Sequence, residues 1–304
     1  MLRWRLMSAA IILGVLLAFL HVDFHYPIRQ VGGAWLIPLA LLITGLACSE
    51  VLAMLAAKDL RPPRFAAYAG SLLIVAAAAA PLAWPLTGQE YPADCPLGRL
   101  GWPLLATAVA ILVVATFEVG TYQPAGNRLI RLTCGVFTVC YAGLLMSFVV
   151  LLRTFHDHRW GMAALLSLIA VVKMSDVGAY TVGRLIGKHK LAPALSPGKT
   201  IEGCCGGIVF ATLTSWFVFH VVIPRGLVGE AVDTAWYGWL SFGVAIAITG
   251  MLGDLVESLL KRETGCKDSS TWLPGLGGVL DIMDSILVAA PIGYAFYATG
   301  IVGP

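Results

Sequence analysis

The chain has 304 residues, 59% of them hydrophobic and 12% charged, with 20 lysines and arginines against 17 aspartates and glutamates. A soluble globular domain carries about a quarter charged residues, which excludes that class. The net charge of +3 is too small to point to a partner, and no nucleic acid is expected. The apolar residues fall in blocks long enough to cross a bilayer, which takes roughly 20 residues per helix. The sequence therefore reads as an all-α, polytopic membrane protein.

Nine spans are predicted, at about 5–21, 34–56, 66–87, 103–120, 129–152, 160–183, 203–223, 237–260 and 278–302. The first follows Arg3 and Arg5 and is apolar from Leu6 to Leu20. The residues after it, HVDFHYP, hold no small-x-small cleavage site, so a retained helix is expected. The third span contains Pro81 and Pro85 and should kink near its outer end. Residues 1–158 read as an N-terminal bundle of about five helices. Residues 159–304 read as the region that carries chemistry, with cytoplasmic loops at 184–202 and 261–277. The seven cysteines form no C-x-x-C pair and suggest neither a disulfide nor zinc. His21, His25, His156 and His158 read as outward-facing loop residues that no acid or cysteine completes into a metal site.

The basic residues give the orientation. Of the twenty, Arg29, Arg99, Arg153, Arg159 and Arg225 fall in odd-numbered loops and Lys173 within a span; the other fourteen fall at the N-terminus and in even-numbered loops. Positive-inside counting places the N-terminus in the cytoplasm, the C-terminus outside, and the protein in the cell membrane as a multi-pass chain.

Ionisable residues enter the spans on the side those loops define. Lys173, Asp176 and Tyr180 stand at i, i+3 and i+7 on one face of the sixth span. The eighth carries Asp254, then Glu257 or Ser258, then Lys261; the ninth begins with Asp281, Asp284 and Ser285. At 1.5 Å per residue, Asp254 stands roughly 10 Å along its helix from Lys261. The plainest account pairs Lys173 with Asp176 and Asp254 with Lys261, purely to lock helices. A charge at the bilayer centre costs roughly 2.5–3.5 kcal/mol, and acids converging at one depth repel one another. Carboxylates with too few cations suit a hard divalent ion such as Mg²⁺, which takes oxygen ligands and shares them with phosphates. Glu50 and Glu118 belong to no wider polar pattern and read as structural acids.

The loop SDVGAYTVGRLIGKHKLAPALSPGKTIEGCCGG combines glycines, hydroxyls and basic residues, a composition suited to polyphosphate. Its PGKT looks like the end of a Walker A loop. Position 193 is Pro where that motif needs Gly, however, and no β-strand is expected there, so the P-loop reading fails. Gly183-x-x-x-Gly187 and Gly203-x-x-x-Gly207 read as close helix contacts.

Together these regions resemble the phosphatidate cytidylyltransferase (CDP-diacylglycerol synthase) family, whose signature looks like S-x-x-K-R-x(4)-K-D followed by P-G-H-G-G-x-L-D-R-x-D. Here the first part is Ser258-Leu-Leu-Lys261-Arg262 with Lys267-Asp268. The second is Pro274-Gly-Leu276-Gly-Gly-Val-Leu-Asp281-Ile282-Met-Asp284. GKHKLAPALSPGKTIEG and GDLVES are also similar to the family's, so the resemblance covers roughly residues 173–290. Leu276 and Ile282 depart from it, standing where the family has His and Arg, and mark a divergent member.

The resemblance implies transfer of a cytidylyl group from CTP to phosphatidate, with one or two Mg²⁺, or Mn²⁺ in its place. By that resemblance Asp254 and Asp281 are metal ligands, with Asp284 as a further one, and Lys267 and Asp268 join them in the catalytic set. Asp176, Arg184, Lys188, Ser196, Lys199, Thr200, Ser258, Lys261 and Arg262 are candidates for contact with CTP or the lipid phosphate, and a homodimer is a further expectation. The alternatives are another CTP-using lipid enzyme (a polyprenol kinase, or a cytidylyltransferase for a different lipid phosphate) and a non-catalytic or ion-binding relative.

Overall fold

The computed structural model describes residues 2–123, 127–229, 234–266, 268–270 and 277–304, with residues 2–9 as backbone alone. Lys267 and Leu276 lie outside the described residues. Eight helices are long and apolar enough to cross a membrane: α2 (Leu36–Ala56), α3 (Arg64–Leu86), α4 (Gly98–Gly120), α5 (Arg128–Arg153), α6 (His158–Ile186), α7 (Ile201–Val228), α8 (Trp236–Thr264) and α9 (Leu280–Ala298). They are preceded by α1 (Leu2–His25), whose apolar part Ala10–His25 is shorter. Helices suit a bilayer because each satisfies its own backbone hydrogen bonds where water is missing. The chain is a multi-pass helical membrane protein. His21 and His25 belong to α1 rather than to a loop, and their ring centroids lie 4.4 Å apart. The expected break in α3 takes the form of a 3₁₀ turn at Ala80–Leu82, with Pro81 at its start, where the ring's missing N–H cannot continue the ladder.

The described chain forms two compact units, Met1–Thr154 with Glu263–Ile282, and Phe155–Arg262 with Met283–Pro304. In the first, α3 and α4 pack around Ala66, Ile74, Ala106, Ala110 and Val114. Glu118 on α4 is buried and accepts from Arg128 Nη1 at 3.2 Å and Arg131 Nε at 3.1 Å, as a structural acid should. In the second unit, α6 lies against α7. A Cβ at Gly203 would stand 2.7 Å from Ala179 O, and one at Gly207 would stand 3.1 Å from Ser175 O. Those glycines are helix contacts, as small residues at such spacing suggest.

The first unit also holds an ion pair that the basic-residue count had treated as a loop charge. Arg153, the last residue of α5, is 3% exposed and donates from Nε to Asp23 at 2.7 Å. Asp23, fully buried on α1, also accepts from Gly33 N at 3.0 Å and Trp35 N at 3.2 Å, just before α2. One carboxylate thus joins α1, the α1–α2 connection and α5. Removing one partner of a buried pair leaves an uncompensated charge, at a cost of about 3–5 kcal/mol, whereas apolar replacement of both is close to neutral. Asp23→Asn should therefore lower the melting temperature of the detergent-purified protein sharply. Asp23→Asn with Arg153→Met, which removes both charges but keeps an oxygen for the Gly33 and Trp35 amides, should restore part of the loss, as read by a fluorescence thermal melt.

Candidate active site

The polar face of α6 occupies its second half. Lys173 Nζ lies 3.5 Å from Asp176 Oδ2, as the spacing predicts. One turn beyond Tyr180, the exposed Arg184 donates from Nη1 to the Tyr180 hydroxyl at 2.8 Å, its guanidinium 5.9 Å from the ring centroid. After Gly187 the chain makes what the sequence reading did not expect, a β-hairpin of β1 (Lys190–Ala192) and β2 (Ser196–Thr200). The PGKT stretch lies inside β2. The strand is real, but it contains the lysine and threonine instead of preceding a phosphate loop.

Three attachments fix the hairpin. At its base, Glu202 accepts from the backbone N–H of Lys188 at 3.0 Å and of His189 at 3.2 Å, and His189 Nδ1 lies 2.6 Å from it. At its far end, Arg262 donates from Nε to Leu195 O at 3.1 Å. Where β2 meets α7, the Thr200 hydroxyl accepts from Gly203 N at 3.1 Å, the N-cap geometry that favours Ser and Thr at such a junction. Thr200 is buried there and Lys188 is exposed; Ser196 opens β2 and is half-buried.

The hairpin delivers Lys199, whose Nζ stands 2.8 Å from Asp254 Oδ2 on α8. The expected pairing of Asp254 with Lys261 is thus corrected: they stand seven positions apart on the helix, about two turns, and Lys261 instead pairs with Glu257 at 2.8 Å. Glu257 is buried and faces inward; Ser258, the alternative at that offset, is half-buried. On α9, the buried Asp284 accepts from its neighbour's backbone, Ser285 N, at 2.6 Å. A Cβ at Gly253 would lie 2.5 Å from Asp284 O and 3.0 Å from Ser285 Cα. Only a glycine allows the α8 and α9 backbones to meet at that point.

The result is a cluster in which Asp254, Glu257 and Asp284 each place a carboxylate oxygen within 4.8 Å of the others. With Asp176 there are four acids, and three lysines pair with three of them, Lys173 with Asp176, Lys199 with Asp254 and Lys261 with Glu257. Among these described residues the acids outnumber the lysines by one, in a partly buried place. Opposite oxygens around one Mg²⁺ stand about 4.2 Å apart. Hard oxygen donors, an excess negative charge and this spacing all fit such an ion. Glu257 is the ligand candidate that sequence reading passed over; its signal was its place on the Asp254 face, one turn on, with Lys261 a turn further.

The remaining motif residues lie in the first unit. Asp268 is exposed. Asp281, in the first turn of α9, accepts through Oδ2 from Ser269 Oγ at 2.7 Å, Gly278 N at 2.6 Å and Ser269 N at 3.2 Å. Glu50, which the sequence reading placed outside any polar pattern, belongs to this network, accepting through Oε2 from Ser269 Oγ at 3.0 Å. Ile282 is half-buried and donates its backbone N–H to Val279 O at 3.2 Å.

A family model described as the cytidylyltransferase family matches residues 5–299, far beyond the stretch that carries the motifs. The chain belongs to that family. Among curated relatives, the phosphatidate cytidylyltransferase of Haemophilus influenzae is 44% identical over 142 residues, 47% of this chain and 48% of that protein. The one from Brucella suis is 37% identical over 194 residues, 64% of each chain. That of Chlamydia pneumoniae is 33% identical over 230 residues, 75% of this chain and 70% of its own. The chain thus spans about half the length of the first relative and just under two thirds of the second.

An ion that binds only the folded state raises stability by about 2.7 kcal/mol at a hundred times its Kd. Adding Mg²⁺ to chelator-treated protein, without nucleotide, should raise its melting temperature. Glu257→Gln and Asp284→Asn should each shift the Mg²⁺ concentration needed by tenfold or more.

Proposed function

We propose that this protein transfers the cytidylyl group of CTP to phosphatidate, releasing pyrophosphate and CDP-diacylglycerol. The observation that carries the reading is the carboxylate cluster bordered by lysines, lying within the residues that match the family. The relatives, phosphatidate cytidylyltransferases, supply the substrate class. In this reading the charged ends of α6, α8 and α9 face the cytoplasm, the N-terminus is cytoplasmic, and the protein resides in the cell membrane, where a homodimer is a further expectation.

Asp254, Glu257 and Asp284 would hold Mg²⁺, or Mn²⁺ in its place. Asp281, one helical turn before Asp284 on α9 and part of the family motif, is a further candidate ligand. Bound metal supplies neutralisation of the charge that gathers on phosphate oxygens. The chain's own residues do the rest. Lys199, Lys261 and Lys267 balance the triphosphate, and Arg262 adds to them while its Nε holds the hairpin. Arg184 and Lys188, both exposed, meet the lipid headgroup, and Asp176, paired with Lys173 at 3.5 Å, supports the acid cluster. Ser196 and Ser258 offer hydroxyls to the nucleotide, and Thr200 sets the position of Lys199 by capping α7. Asp268 supports the segment before α9. A phosphate oxygen of phosphatidate attacks the α-phosphorus in line, the bond to the β-phosphate oxygen breaks, and pyrophosphate leaves. Such a transfer depends on positioning and charge balance more than on a covalent helper.

Purified protein in micelles with phosphatidate, CTP and Mg²⁺ should release one pyrophosphate for each CDP-diacylglycerol formed. Asp254→Asn and Asp281→Asn should each cut turnover by about a hundredfold or more while the protein stays folded, since removal of one charge-stabilising group costs several kcal/mol of barrier. Release of CDP in place of pyrophosphate would identify a lipid kinase. No nucleotide turnover across a panel of lipid phosphates would point to a non-catalytic relative.

A further inference from the structure

Glu50 sits on α2, more than two hundred residues from the motif, yet it is 4% exposed and all its described contacts are with that segment. Its Oε1 accepts from Val279 N at 2.9 Å and its Oε2 from Leu280 N at 2.8 Å. These are amides at the start of α9, which no preceding helical turn can satisfy, and the partial positive charge there favours a carboxylate. Glu50 therefore caps α9 from another helix. The Ser269 hydroxyl lies between two acids, 3.0 Å from Glu50 Oε2 and 2.7 Å from Asp281 Oδ2. The space is filled to the backbone: a Cβ at Gly278 would stand 2.1 Å from Ser269 Oγ and 2.4 Å from Glu50 Oε2. Within the first unit, then, Asp281 is not a free side chain at a helix start. Ser269 and Gly278 hold its carboxylate, and Glu50 holds the same short segment through Ser269, Val279 and Leu280.

We infer that Glu50 is a positioning residue, which fixes the orientation of the Asp281 carboxylate by capping α9 and tying down the Ser269–Gly278 corner. The inference rests on the proposed cytidylyl transfer and on Asp281 as a metal ligand in it. The other buried acid of the first unit gives the comparison. Glu118, equally 4% exposed, is satisfied by two arginines and has no such partners among the described residues of the motif.

The test compares Glu50→Gln with Glu118→Gln in full-length protein, reading the Mg²⁺ concentration for half-maximal pyrophosphate release. Glu50→Gln should raise it about tenfold, and Glu118→Gln should leave it unchanged. A mere loss of folded protein would lower the maximal rate without moving that midpoint. Amide hydrogen exchange without metal or nucleotide gives a second readout: peptides covering 277–282 should exchange faster in Glu50→Gln. Should Glu50→Gln fail to fold, Ser269→Ala decides, because it removes the bridging hydroxyl but leaves the cap; it should move the midpoint the same way by a smaller factor. An unchanged midpoint in whichever folded variant is measured overturns the inference. If the wild-type protein releases no pyrophosphate, the proposed activity fails instead, and unaltered exchange at 277–282 in Glu50→Gln would overturn the positioning role separately.

Discussion

An imbalance of charge marks the acid cluster of the second unit: among the described residues there, Asp176, Asp254, Glu257 and Asp284 stand against Lys173, Lys199 and Lys261. In water such an excess would cost little. Near the end of a membrane helix each acid is partly removed from solvent, and its neighbours raise its energy further. Three of the four are relieved by a lysine within 3.5 Å. Two of those pairs lie within one helix, α6 or α8; only Lys199 with Asp254 joins two elements, and it sets β2 against α8. Locking helices would need equal numbers. A surplus acid, buried and close to two others, is what a site for a divalent cation requires.

Bringing carboxylates together demands close backbones, and in lipid the hydrophobic effect does not press helices together as it does in water. The chain meets this with small residues. Gly253 lets α8 touch α9 beside Asp284, directly preceding Asp254 in sequence, and Gly203 and Gly207 bring α7 onto α6. The first unit uses small residues too, a Cβ at Gly143 standing 2.7 Å from Ser71 Cα, and adds buried charge. Asp23 collects Arg153 and the amides before α2, and Glu50 collects the amides that begin α9.

Hydropathy read the spans well because a membrane helix is a long local signal: eight predicted spans match described helices to within a few residues at most ends. Pairings at i, i+3 on one helix, such as Lys173 with Asp176, were equally legible. Partners from different elements were not. Asp254 was matched to the lysine of its own helix because nothing in a linear reading places Lys199 nearby. Glu50 read as an isolated acid because its partners are backbone amides, which leave no trace in residue types. The hairpin was missed for a related reason: Pro193 and Pro197 argue against a strand, and these strands are three and five residues long, held by Glu202 and Arg262 more than by their own ladder.

That hairpin explains how a lysine can serve a precise site. A lysine side chain carries about 2 kcal/mol of rotamer entropy and a flexible four-carbon stem. On a free loop its ammonium would sample a wide volume, and the backbone would widen it further. Here the residue after Lys199 is the N-cap of α7, so the helix start fixes the Cα to within one residue. Glu202, in the first turn of the same helix, grips the entering strand, and Arg262 holds the turn. What freedom remains belongs to the side chain alone, and its salt bridge to Asp254 limits that. Two residues assigned to substrate on sequence grounds, Thr200 and Arg262, thus contribute first by fixing a third. In the proposed reaction, a phosphate at the cluster would meet a cation whose backbone is held by the N-cap of α7.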